Sequence, residues 1–183
     1  MSAWAIESEP VNVFGITLRE PLTIAHIMLM SEAGSPILTG APIMPGDLAL
    51  AAFICSQPAD RAKRALKSWT AGITFKLWGF LFWKRNLREE AEKFGRWFSW
   101  HASVPPRWTT PGGRALSSPW WINRVAIAMG ECGMTYTDAT TLPCRIVGQI
   151  TTSLMEARGL VDLESEEQTQ FIRWAMAQAG GRN

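Results

Sequence analysis

The 183-residue chain is long enough for one domain with its own core. Its composition, 47% hydrophobic and 19% charged, argues against a disordered chain. Its three cysteines, Cys55, Cys132 and Cys144, are odd in number and irregularly spaced, which excludes a disulfide framework and reads as small buried hydrophobes in a reducing compartment. The net charge of +2 selects no partner. Ten of the eighteen basic residues nevertheless fall between Arg61 and Arg96, while acids gather late at Asp162, Glu164, Glu166 and Glu167.

The first ten residues, ending at Pro10, read as a frayed tail without a basic region followed by an apolar stretch, so no secretory leader is expected. Val11 to Leu18 alternates weakly, as a short strand or an extended arm does. Thr23 is placed to cap a helix running to Ala33, stopped by Gly34 and Pro36, with Ile24, Ile27, Met28 and Ser31 on one face. His26 falls one step off that face and reads as a boundary residue. The stretch from Ser35 to Pro45 is a proline-rich loop. Asp47 is expected to cap Leu48 to Ser56, a short helix apolar nearly all round and therefore a core element, ended by Pro58.

Asp60 is expected to cap the next stretch. From Leu66 an apolar residue recurs every seventh position through Ile73, Phe80, Leu87 and Phe94, with Trp69, Leu77, Ala91, Trp97 and Phe98 beside them. Such a repeat predicts a long amphipathic helix packing on a partner helix. Gly72 and Gly79 oppose it, each costing about 1 kcal/mol relative to Ala, and favour a break near Gly72. The longest apolar run, Ile73 to Trp83, is interrupted by Lys76 and is too short for a bilayer, which needs about 20 residues.

Residues 99–117, rich in proline, glycine and tryptophan, read as a long loop, a feature that is often functional. Ser118 followed by Pro119 in the first helical position restarts a helix to about Met129, and Gly130 to Thr141 reads as a turn region. A helix over Pro143 to Arg158 carries Ile146, Val147, Ile150, Leu154 and Met155, with Gly159 closing it. Ser165 with Gln168 forms a capping box for a last helix to about Ala179.

Chemistry is sparse. His26 and His101 lack zinc-ligand spacing, and the cysteines form no CxxC. Nucleophile-elbow, zincin and phosphate-loop motifs are absent, so neither an enzyme nor a cofactor is expected. Of ten tryptophans, eight lie between Trp69 and Trp121. Tryptophan serves both as helix-core filler and as a binding hot spot, and Trp108 in the proline-rich loop is the expected exposed contact. The basic middle is read chiefly as a solvated face balancing Glu89, Glu90 and Glu92. Nucleic acid is disfavoured by a pI of only 8.6 and no helix-turn-helix pattern, and a membrane surface by those same glutamates.

Two patches resemble a known group of proteins. One is Phe14-Gly-Ile-Thr-Leu-Arg-Glu-Pro-Leu-Thr-Ile-Ala-His-Ile-Met-Leu-Met, followed by Gly34-Ser-Pro and Gly46-Asp-Leu-Ala-Leu-Ala-Ala-Phe-Ile-Cys-Ser. The other runs from Pro119-Trp-Trp through Gly133-Met-Thr to Pro143 and Ala157-Arg-Gly. Together, over about half the chain, they resemble small helical proteins encoded among the tail genes of long-tailed bacteriophages, regarded as tail assembly chaperones or tail-associated proteins. The Trp-rich middle departs from that pattern.

The resemblance implies a protein that binds the tape measure protein or tail tube subunits in the host cytoplasm. A structural virion protein of the head–tail connector or tail, and a nucleic-acid or membrane-surface binder, stand as alternatives. Self-association stays open. The expected fold is all-α: an irregular bundle of about six helices, with an N-terminal arm over 1–20, one helical domain over 21–179 and a tail at 180–183. The partner-binding candidates are Trp69, Ile73, Leu77, Phe80, Trp83, Leu87, Phe94, Trp97 and Trp108.

Overall fold

The computed structural model describes residues 9–18, 21–67, 85–104, 118–159 and, for the backbone, 107–108 and 162–163. The protein is a mainly helical bundle. Seven α-helices are present among these residues: α1 (Ile24–Glu32), α2 (Pro45–Cys55), α3 (Ala59–Leu66), α4 (Leu87–Ala102), α5 (Trp120–Cys132), α6 (Tyr136–Thr141) and α7 (Cys144–Ala157). Two small antiparallel ladders accompany them, β1 (Val11–Val13) with β2 (Ile16–Leu18), and β3 (Arg107–Trp108) with β4 (Asp162–Leu163).

The N-terminal arm takes the form of a hairpin folded onto the bundle. Phe14 and Gly15 form its two-residue turn with φ of 53° and 87°. Positive φ at both positions matches the right-handed strand twist, but it strains a non-glycine residue. Three contacts hold it there: Gly15 N donates to Asn12 Oδ1 (2.9 Å), Phe14 N donates to the buried Glu90 carboxylate (2.7 Å), and the Phe14 ring is itself buried.

Helix α1 starts at Thr23 as the sequence indicates. Its capping box uses histidine where glutamate is usual. Thr23 Oγ1 accepts from His26 N, and Thr23 N donates to His26 Nδ1 (3.1 Å). A lone pair on Nδ1 puts the ring proton on Nε2, which lies 2.9 Å from the Gln57 carbonyl it donates to. His26 is therefore a buried structural residue joining α1 to the end of α2, not a boundary residue. In α2, Asp47 is not the cap but the third residue, accepting from Met44 N (2.9 Å), and Pro45 occupies the first position. As expected, α2 is core: Leu48, Ala49, Ala51, Ala52, Ile54 and Cys55 are buried. Asp60 likewise lies in the first turn of α3, after Pro58.

The seven-residue repeat does not form one continuous helix. Helix α3 ends at Leu66, with Lys67 as its C-cap, and α4 begins afresh at Leu87. Asn86 adopts non-helical angles, and its side chain accepts from Glu89 N (3.4 Å). The amide takes over a backbone donor that a continuing helix would have satisfied, which is why asparagine favours caps over helix interiors. Within α4, Glu90, Phe94, Trp97 and His101 form the buried stripe, with Phe94 and Trp97 rings 5.9 Å apart and Trp97 and His101 rings 4.6 Å apart. Helix α4 also runs on to Ala102, into the expected loop, and Arg107–Trp108 pairs with Asp162–Leu163.

Pro119 is the N-cap of α5 rather than its first residue, and Gly133 ends that helix in the left-handed region (φ 66°), with Met134 N bonding Ala128 O (3.1 Å). A further helix, α6, replaces the expected turn. Thr135 Oγ1 accepts from Asp138 N (3.1 Å) and donates to its carboxylate (2.7 Å). Six residues are too few for a visible period, so only this cap betrays the helix.

Helix α7 buries a face of small and hydroxyl residues, Cys144, Gly148, Thr151 and Thr152 with Val147, whereas Ile150 is 39% exposed. Thr151 and Thr152 satisfy their hydroxyls on the carbonyls one turn back, which lets a polar face sit in the interior. Cys144 N donates to Leu22 O (2.7 Å) and ties α7 to the start of α1. The expected helix over 165–179 lies outside the described residues.

Candidate partner-binding groove

Helix α5 is apolar over most of its circumference, yet Ala128 is its one fully buried residue. One side packs along α7. The other faces α1 and leaves an open apolar groove of about 480 Å³. Helix α1 contributes Ile24, Met28, Ser31 and Glu32, spaced as one face of a helix. Opposite them α5 contributes Trp121, Ile122, Val125, Ala126 and Met129, and Tyr136 of α6 closes one side. Ile122, Met129 and Tyr136 are 52%, 42% and 51% exposed, so apolar surface that a core would cover meets water here. The Tyr136 hydroxyl reaches Met28 Sδ (3.6 Å) across the groove.

The walls are held from behind. Arg124, on the far side of α5, donates to the carbonyls of Ala102 and Cys144 and stacks over Trp120 at 4.6 Å. Arg145 of α7 donates to Trp100 O and lies 4.3 Å over its ring. Two guanidinium groups thus meet the carbonyl end of α4, where cations are favoured. They also lock α4, α5 and α7 together, and the Cys144 N–Leu22 O bond ties α7 to the start of α1, so both walls of the groove are held. His101, beside this cluster, has its pKa lowered to about 4 by burial and then by the charge of Arg145. Burial pushes the Cys144 thiol up to about 12, with Arg124 acting in the opposite sense, so both protonated thiol and neutral imidazole behave as structural groups.

No protein-family model, no curated protein and no solved structure matches the chain.

Of the partner-binding candidates, Trp69, Ile73, Leu77, Phe80 and Trp83 lie outside the described residues. Leu87 opens α4 and packs partly buried against the core. Phe94 and Trp97 are buried within the core. The Trp108 backbone pairs with Asp162. Leu87, Phe94 and Trp97 are not among the described residues that line the groove. Sequence reasoning placed α5 but missed its exposed face. The available signal was the run from Trp120 to Met129, whose apolar residues exceed the single stripe that one packing contact covers. Among the described residues, no three His, Cys, Asp or Glu side chains converge as a metal site, and no helix is long and apolar enough to cross a membrane.

Proposed function

We propose that this protein is a non-catalytic assembly protein that holds an amphipathic helix of a client in the groove between α1 and α5. The observation that carries this reading is the exposure of Ile122, Met129 and Tyr136 along one preformed apolar channel. Covering each would gain about 1 kcal/mol, and helix-in-groove recognition lays the apolar face of a client helix into such a channel. Met28 and Met129 add side chains that adapt to varied client surfaces.

The resemblance to phage tail proteins supplies the client: the long helical tape measure protein or a tail tube subunit, held in the host cytoplasm until assembly. Co-expression with the tape measure protein tests this. The wild type is expected to keep that client soluble, Ile122→Asp to fail, and mass spectrometry to find the protein missing from purified particles. A client equally soluble with either variant overturns the groove reading. Fixed-copy presence in particles turns the assignment to a structural virion protein.

A further inference from the structure

We infer that the groove takes a client helix carrying a basic residue at the edge of its apolar face, set against Glu32; this rests on the groove being a helix-binding site. Among the described residues that line the groove, Glu32 alone is charged. It is the last residue of α1, which has no basic residue in its final turn. The carbonyl end of a helix carries partial negative charge, so an acid there opposes the helix dipole. Among the described residues no Lys or Arg forms a salt bridge with Glu32 to offset this. A carboxylate standing where helix physics disfavours it, in the lining of an apolar channel, marks a position for a cation from outside.

The length of the client segment follows from the walls. Ile24 to Glu32 and Trp121 to Met129 each rise roughly 12 Å, about two helical turns, which admits about three apolar anchors. A second copy presenting its own α5 is a poorer occupant. The cation on its own α5, Arg124, is engaged by the Ala102 and Cys144 carbonyls and the Trp120 ring.

The test uses the full chain and fluorescent stapled peptides of about 14 residues. Each carries three leucines on one face and either Lys or Glu at each end of that face. In anisotropy titrations at low salt, the wild type is expected to bind the Lys probe about fivefold tighter than the Glu probe, with the gap closing near about 0.5 M salt. Glu32→Lys is expected to reverse the preference, and Ile122→Asp to abolish binding of both. Both positions are exposed, and circular dichroism of each variant checks the fold. Equal affinity for the two probes, or a preference that survives Glu32→Lys, overturns the charge assignment and leaves the groove standing. Binding of neither probe overturns both. A wild-type dimer in sedimentation that Ile122→Asp dissociates assigns the groove to a second copy and overturns the inference.

Discussion

The backbone N–H of Phe14 donates to the carboxylate of Glu90 at 2.7 Å across 76 residues of sequence, and both residues are buried. That contact fixes the strained hairpin turn to α4. Lys93 bonds the other carboxylate oxygen (3.1 Å), so the charge is paired as well as hydrogen-bonded. Glu90→Ala leaves a buried donor without a partner and is expected to cost about 1–3 kcal/mol in chemical denaturation. Glu90→Gln, which keeps an acceptor for Phe14 N, should lose less. Equal stability of wild type and Glu90→Ala would show the contact to be idle.

Gly148 lies in the middle of α7, where alanine ordinarily gains about 1 kcal/mol. Here a Cβ would stand 2.9 Å from Val104 Cγ1 and 3.4 Å from the Arg124 guanidinium carbon. Valine is stiff at χ1 and cannot swing away cheaply. Gly148→Ala is therefore expected to lower the thermal midpoint, by overpacking worth about 1–3 kcal/mol. A raised midpoint would mean that α7 and the loop at Val104 separate freely.

His101 gives a pH dependence of definite sign. Its folded pKa lies at about 4, below the ordinary 6.5, because burial and then Arg145 disfavour the charged ring. The unfolded chain takes up the proton first. Stability is thus full above pH 6.5 and falls progressively toward pH 4, on the order of 2 kcal/mol after solvent screening is allowed for. Thermal midpoints of wild type and His101→Gln, measured from neutral pH downward, should converge as the wild type loses this term. A constant gap between them would remove His101 from the acid response.

Core and groove should separate cleanly under mutation. Phe94→Ala empties a buried site against Trp97 and Phe98 and is expected to cost about 3–5 kcal/mol. Ile122→Asp, on the exposed wall of α5, should move stability by about 0.5 kcal/mol or less while removing client binding. Denaturant midpoints for the two variants check this. A large loss at Ile122 would mean that the groove is closed in solution.

The contrast between α1 and α4 explains what was legible. Thr23 announced α1 because a cap is a local event, decided within four residues. The break at Asn86 was equally local, but a seven-residue repeat running across it imitated a continuous helix. Apolar spacing records that residues want burial and not whether one helix or two provide it. Phe94 and Trp97, expected at a partner surface, carry the same pattern as core residues because both situations remove apolar area from water. Helix α6 was invisible for the opposite reason, being too short to show a period.

Local signals in the chain were enough to show that the protein is mainly helical, where α1, α2, α5 and α7 lie, and that α2 belongs to the core. These follow from caps, glycine and proline stops, and composition, all of which act over a few residues. That Glu90 meets Phe14, that His26 joins α1 to Gln57, and that α5 keeps one apolar face open emerge with the folded arrangement. Each depends on which segments meet after long loops close, and loop closure costs nearly the same entropy for many pairings. Packing and polar satisfaction over the whole core then select among them, and no stretch of sequence contains that sum.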